Sequence, residues 1–264
     1  MKPHILTCVG KAITPEANMN KLEALKAKCK ALKLDGFLAV LERDDYANQS
    51  HNEFLSDLLS SQLTVNCQRK IKRLTTQAHL KYSNSFLSDI DYTLYPSLKV
   101  NQVNQLAECH WVSSARNIII IGATGTGKTS LACRLAQEVI AKQKSVMFYR
   151  LSHLLLELVA ADKEGELMKM LKKLSRIDVL IIDDWGNALM DKNERHLLFE
   201  LIEFREQKGS LMITSQYPIS AWHETFGNET IADSVLDRIV HNSHEIRLNG
   251  ESIRKVLAER GDRA

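Results

Sequence analysis

The sequence predicts an α/β fold, a parallel sheet with helices on both faces, preceded by a small all-helical domain. Two observations carry this prediction. After Asn117, short β-rich apolar runs alternate with amphipathic stretches of helical length, which is how parallel sheets built from βα units read. Residues 18–83 contain helical periodicity and nothing strand-like.

The helical part runs as follows. Residues 1–17 hold Pro3 and Pro15 with little periodicity and read as a loose arm. In MNKLEALKAKCKALKL, residues 19–34, Leu22, Leu25, Cys29 and Leu32 form one helical stripe, with lysines opposite. Gly36 interrupts, and FLAVLER continues as helix. SHNEFLSDLLSSQL opens with Ser50 and Glu53 at capping-box spacing, and Phe54, Leu55, Leu58, Leu59 and Leu63 mark a third helix. A basic segment, NCQRKIKRLTTQAHLKYS, follows. DYTLYPS, residues 91–97, suits a linker. The expected domains are therefore residues 1–90 and 91–264, with NQVNQLAECHW a short helix leading into the second.

The strands expected in the second domain are NIIII, SVMFYR, VLIIDDW and SLMITSQYP. Helices are expected over TSLACRLAQEVIAKQ, LSHLLLELVAAD, GELMKMLKKLSR and KNERHLLFELIEFREQ. A minimal βα unit needs one helix between its second and third strands. Here there is space for two.

The chain of 264 residues, 44% hydrophobic and 25% charged, can bury a sizeable core. No apolar run of membrane-spanning length occurs, and the N-terminus lacks the apolar core of a signal peptide. A cytoplasmic protein with no membrane partner is expected. The five cysteines are scattered without a CxxC, which suits a reducing compartment. The net charge of +3 is unevenly placed: residues 1–90 hold 13 Lys and Arg against 9 Asp and Glu. That excess points weakly to a polyanion.

Gly122-Ala123-Thr124-Gly125-Thr126-Gly127-Lys128-Thr129 matches G-x-x-x-x-G-K-[ST], between an apolar strand and an amphipathic helix. Glycines let backbone N–H groups turn inward around phosphates, and the following helix adds its positive end at Thr129 and Ser130. Lys128 is expected to reach the β- and γ-phosphates of ATP, and Thr129 to bind Mg²⁺. The strand VLIIDDW delivers Asp183 and Asp184 to the sheet's carboxyl edge. Asp183 suits the metal, and Asp184 suits orienting or deprotonating a water. SLMITSQYP ends in Thr214, Ser215 and Gln216, any of which could touch the γ-phosphate or the water. Read from residues alone, Arg238 is a helical arginine with Asp233, Asp237 and Glu245 nearby in sequence.

GATGTGKTS, VLIIDDWG, ITSQYPISAWHETFGNETIADSVLDRIVHN and IRLNGESIRK resemble the IstB transposition helper ATPases, AAA+ proteins close to the DnaC helicase loaders. The N-terminal KLEALKAKCKALKLDGFLAVLER is similar to that family's helical domain, so the resemblance spans roughly residues 20–256. It implies an AAA+ P-loop ATPase in which Asp183 is the metal-side acid. Asp184 stands where many relatives have Glu, and its shorter reach implies slow hydrolysis. It implies that Gln216 occupies a sensor position usually held by Asn. It implies that Arg238 is an arginine finger reaching a neighbouring copy's γ-phosphate, and hence self-assembly into a ring or spiral. Arg254 is a further candidate for nucleotide contact, with no separate helical lid expected after it. The resemblance also places the extra helix of residues 165–176 against DNA, with Lys163, Lys169, Lys172, Lys173 and Arg176. Lys21, Lys26, Lys28, Lys30, Lys33, Arg69, Lys70, Lys72 and Arg73 are further phosphate contacts. The expected partners are double-stranded DNA, the cognate transposase and further copies of the chain. The alternative is a DnaC-like replicative helicase loader.

Overall fold

The computed structural model describes residues 15–43, 49–187, 189–226 and 229–261. The arm expected over residues 1–17 lies mostly outside these, and the first helix begins at Pro15. Two compact units divide between Lys70 and Ile71, earlier than the 90/91 boundary expected from sequence. The reason is burial. Leu74, Ala78, Leu80 and Ile90 belong to the same apolar cluster as Val103, Leu106 and Ile118.

The first unit comprises α1 (Pro15–Ala31), α2 (Asp35–Leu41) and the opening turns of α3 (His51–Ala78). The capping box forms: Ser50 N–H donates to Glu53 Oε2 at 2.8 Å, and Glu53 N–H donates to Ser50 Oγ at 3.3 Å. The helix then runs through the basic segment. Cys29, Val40, Leu41 and Leu58 are buried, whereas Leu55, Leu59 and Leu63 are exposed. Gly36 is no interruption. It sits inside α2, where a Cβ would lie 2.4 Å from the backbone of Gln62. The Gln62 side chain accepts the Gly36 N–H at 3.0 Å, and Ser61 Oγ donates to the Gly36 carbonyl at 2.9 Å. Arg69 closes the unit by pairing with Asp35 and donating to the Lys33 carbonyl.

The second unit is built on a five-stranded sheet in the order β2-β3-β4-β1-β5, with every pairing parallel. Its strands are β1 (Asn117–Gly122), β2 (Val146–Arg150), β3 (Val179–Trp185), β4 (Ser210–Ser215) and β5 (Ser243–Leu248). Its helices are α4 (Val100–Ala107), α5 (His110–Ser113), α6 (Lys128–Ala141), α7 (Leu151–Lys163), α8 (Leu167–Ser175), α9 (Lys192–Arg205), α10 (Trp222–Phe226), α11 (Glu229–Val240) and α12 (Ile253–Glu259). Strand β5 was not foreseen as a strand. Its half-buried start and charged Glu245 and Arg247 break the apolar signature that the other four carry.

Alternation along the strands sorts the core into two layers. Ile118, Ile120, Val179, Ile181 and Met212 pack with α6 on one face. Ile119, Ile121, Leu180, Ile182, Leu211 and Ile213 pack with α7, α8, α9 and α11 on the other. Each fully buried Leu or Ile contributes roughly 1.5–3 kcal/mol. The expected linker over 91–97 belongs to the first layer. Tyr95 and Leu98 are buried there, and Ser97 Oγ accepts the Asn249 N–H at 2.8 Å.

Both helices expected between β2 and β3 are present. Leu171 and Leu174 of α8 are buried, while Lys169, Lys172, Lys173 and Arg176 are exposed. Arg205, 1% exposed, donates to the carbonyls of Leu174, Ile177 and Ser210, tying α8, α9 and β4 together. Burial pulls its pKa down to about 10, against the favourable field of Asp178. Among the described residues no helix is long and apolar enough to cross a membrane.

Replacing Gly36 with Ala should push α2 off α3, at a cost of about 1–3 kcal/mol. Amide hydrogen exchange in both helices should accelerate about tenfold or more. Unchanged protection would contradict the close backbone approach.

Candidate nucleotide site

In a parallel sheet all strands deliver their last residues to the same edge, and here that edge is polar. The phosphate loop leaves β1 at Gly122, where a Cβ would lie 2.4 Å from the Leu248 carbonyl oxygen. Gly125 and Gly127 have φ of +86° and +84°, values that disfavour any side chain. Thr126 Oγ1 and Lys128 Nζ both donate to the Ala123 carbonyl, at 2.8 and 2.9 Å, which curls the loop. Lys128, in the first turn of α6, is 7% exposed. Burial lowers its pKa, opposed by the fields of Asp184 and Asp183. A buried ammonium with a single carbonyl acceptor is suited to an incoming anion.

Asp183 is 1% exposed. Thr129 Oγ1 donates to its Oδ1 at 2.8 Å, and Thr214 Oγ1 donates to the same oxygen. Beside it the β3–β4 register shifts between Ile182 and Trp185. Asp184 adopts φ +62°, in the left-handed region that Asp tolerates better than most residues. Its N–H donates to Thr214 Oγ1 at 3.2 Å, and its Oδ2 lies 2.9 Å from Arg150 Nε. Gln216 is exposed, and its Oε1 accepts from Thr124 Oγ1 at 2.6 Å.

A cavity of about 350 Å³ joins these groups. Thr124, Gly125, Gly127, Lys128, Thr129, Ser130, Asp184 and Gln216 line it, and Arg254 does too. Its opposite wall includes Tyr82, Leu94, Tyr95, Ile253 and Leu257, an apolar and aromatic surface. Two contacts set this wall against the loop. The Ile253 N–H donates to the Gly125 carbonyl at 2.9 Å, and the Tyr95 hydroxyl lies 2.6 Å from where a Cβ on Gly127 would stand. Arg134 and Gln137 of α6 donate to the carbonyls of Phe86 and Ser83, holding the chain between α3 and α4 beside the cavity.

Asp183 does not line this cavity itself but is buried beside it, bonded to Thr129, which does, whereas Arg238 is not brought to this edge of the sheet at all. It lies towards the end of α11, at the edge where the strands begin. There it lines a cavity of about 580 Å³ with Asn117, Arg205, Gly209, His241 and Asn242. Its partners are Glu203 of α9 and Glu206 just after it, not the acids nearby in sequence.

Arg150, the last residue of β2, was missed. The sheet-edge argument that found Asp183 applies equally to it. Tyr95 had no such signal, because only the tertiary fold carries it to Gly127.

Thr129, which lines the cavity, and Asp183, bonded to it from behind, offer hard oxygen donors, the donor type Mg²⁺ takes. Among the described residues no group of three or more His, Cys, Asp and Glu side chains is disposed to hold a metal. A cation here would complete its shell with phosphate and water oxygens.

A family model described as IstB-like ATP binding protein matches residues 27–260. An insertion sequence ATP-binding protein of Sinorhizobium fredii is 35% identical over 219 residues, covering 83% of this chain and 89% of that protein. The insertion sequence IS21 ATP-binding protein of Pseudomonas aeruginosa is 32% identical over 237 residues, 89% of each chain. Among solved structures, DnaI matches with TM-score 0.53 at 18% identity, over 63% of this chain and 92% of its own. The replication initiator DnaA bound to AMPPCP and single-stranded DNA matches with TM-score 0.50 at 16% identity, over 62% of this chain and 51% of that one. At these identities the structural matches speak to the fold alone.

Gly125→Ala should place its methyl against Ser252, whose Oγ is 2.2 Å from the ideal Cβ position, in a backbone conformation that resists it. The loop and the start of α12 would have to separate. Equilibrium binding of a fluorescent ATP analogue should weaken about tenfold or more. Wild-type affinity would rule out the tight seating of α12 on the loop.

Proposed function

We propose, since this chain belongs to the family of IstB-like ATP binding proteins, that it is an ATP-hydrolysing helper of transposition. It assembles on target DNA, distorts the duplex and recruits the transposase. The observation that carries this reading is the separation of two halves of one catalytic set. The phosphate loop, Asp183 and Asp184 share the carboxyl edge of the sheet, while Arg238 lies at the opposite edge.

In the proposed reaction the loop amides and Lys128 bind the phosphate chain, and the apolar wall of Tyr82, Leu94 and Ile253 receives the base. Thr129 and Asp183 would hold Mg²⁺, which when bound neutralises charge on the β- and γ-phosphate oxygens. Asp184 takes the proton of the attacking water as its oxygen bonds to the γ-phosphorus and the bond to the ADP oxygen breaks. Asp184 Oδ2 is held 2.9 Å from Arg150 Nε, so this contact has to open before the carboxylate can turn to the water. Gln216 borders the γ-phosphate end from the loop side. Arg238 of a neighbouring copy supplies the charge that a single copy lacks. Slow turnover follows from a general base with one methylene fewer than Glu, and from restraints that must open first.

The exposed stripe of Lys169, Lys172, Lys173 and Arg176 on α8 supports the DNA part of the reading. It presents positive charge on one helix face without base-reading geometry. Binding to duplex should be tolerant of sequence and fall with salt, with a log–log slope of roughly −3 to −4 for about four phosphates neutralised per copy. A cytoplasmic location is part of this proposal.

Lys128→Ala and Arg238→Ala proteins should each lack ATPase activity. Mixed, they should recover part of it, because one contributes an intact phosphate loop and the other an intact arginine. Duplex retention on a filter should require ATP and be lost with ADP. No recovery at any mixing ratio would overturn the shared site. Capture of a replicative helicase in place of a transposase would move the protein to the loader class.

A further inference from the structure

We infer that Glu203 and Glu206 hold Arg238 within its own copy, and so set the protein concentration at which copies begin to share their nucleotide sites. The inference rests on the proposed trans role of Arg238.

The contacts are specific. Arg238 Nε donates to Glu206 Oε2 at 3.0 Å, and Nη2 donates to Glu203 Oε1 at 3.2 Å. Nη1 donates to the Ser234 carbonyl at 2.9 Å and to Ser234 Oγ at 2.6 Å. The guanidinium carbon lies 5.7 Å from the centre of the Phe199 ring. All three guanidinium nitrogens are therefore engaged within the copy, and the side chain is only 23% exposed. Glu203 lies in the last turn of α9 and Glu206 is the residue that ends the helix, its N–H donating to the Glu203 carbonyl at 3.2 Å, which keeps the two acids close together.

Charge decides the direction of the effect. Glu203, Glu206 and Asp237 outnumber Arg238 and the buried Arg205 around the cavity that Arg238 lines by one charge, so the pocket carries an excess negative charge. A neighbour's triphosphate is itself an anion, so its approach is opposed until the arginine turns away from the acids. Arginine is suited to such an exchange. Its planar fork fits phosphate oxygens as well as carboxylates, and its stem can redirect it. Both acids are nearly half exposed, so water screens the pairs and the barrier is modest. The clamp therefore acts as a threshold. A lone copy keeps its guanidinium occupied, and only a concentrated array, as on a shared DNA segment, draws it out.

The test is a Glu203→Gln/Glu206→Gln double variant, assayed for ATP turnover and for ATP-dependent sedimentation across a range of protein concentration. Glutamine keeps the shape and removes the charge. The half-maximal concentration is expected to fall by about threefold to tenfold, the scale of two exposed ion pairs. A midpoint that is unchanged or higher overturns the inference, since the acids would then be neutral or would help position the arginine. If the double variant folds poorly, each single variant should move the midpoint part of the way, and a midpoint at or above the parent value in both is equally decisive. Recovery of activity in the mixing experiment, with no midpoint shift here, rejects the clamp alone. Absence of recovery rejects the shared site beneath it.

Discussion

Asp183 is a carboxylate sealed inside a parallel sheet, and an anion there is costly unless donors satisfy it. Two hydroxyls do so, Thr129 from the helix after the phosphate loop and Thr214 from the adjoining strand. The three side chains fasten α6, β3 and β4 together at one point. Their demands spread outward. Thr214, having given its proton to Asp183, accepts the Asp184 N–H, and the backbone at Asp184 takes a left-handed turn beside the register shift. In that conformation the Asp184 side chain meets Arg150 at the end of β2. The phosphate loop, the acidic pair and the guanidinium are thus one assembly, hung on a single buried charge.

The sheet's polarity imposes a second constraint. Parallel strands gather the loop, Asp183, Asp184, Arg150 and Gln216 at the edge where strands end. Asn117, Gly209 and Asn242 mark the edge where strands begin, and Arg238 sits there. Loop flexing cannot carry a helical arginine past the sheet, whose core is close-packed on both faces. If Arg238 is to meet a triphosphate, that triphosphate belongs to another copy. A contact of one edge with the opposite edge of a neighbour is heterologous, and it propagates into a ring or a helix rather than closing a dimer. Such a geometry suits wrapping along a duplex, where many modest phosphate contacts add.

Legibility from sequence followed the range of the interactions. The phosphate loop, Asp183 and four strands are local patterns: glycines at fixed spacing, a carboxylate closing an apolar run, and β-rich runs of five to seven residues. They read directly. Strand β5 is paired through β1 alone, and its SHEIRL carries His244, Glu245 and Arg247, so it lacks the apolar continuity of a strand buried on both faces. The basic half of α3 looked like a separate segment because of its lysines and arginines, although Cys67, Ile71, Leu74 and Ala78 continue a helical stripe through it. Tyr95 looked like linker because Pro96 follows it, yet that side chain is core. Gly36 looked like a break, but it is a small residue chosen so that two helices can touch. The Arg150–Asp184 and Arg238–Glu203–Glu206 pairings join residues 32 or more positions apart, and no spacing rule reaches them.

Those last pairings share a chemical logic. Each takes an arginine that lines a cavity and occupies it with carboxylate of the same copy. Neutralised in this way, neither guanidinium draws in stray anions while the protein is alone. Each pair is partly exposed, and exposed pairs are weak, so neither restraint is a lock. Each is a small bias that a better-matched anion can overcome. In the proposed reaction the two would open in sequence. Triphosphate in the cavity competes for Arg150 and frees Asp184, while assembly competes for Arg238 and completes the charge at the γ-phosphate. Catalytic competence would then require nucleotide and neighbour together. That coincidence is what the proposed switch on DNA would need, and two modest ion pairs at opposite edges of one rigid sheet would supply it.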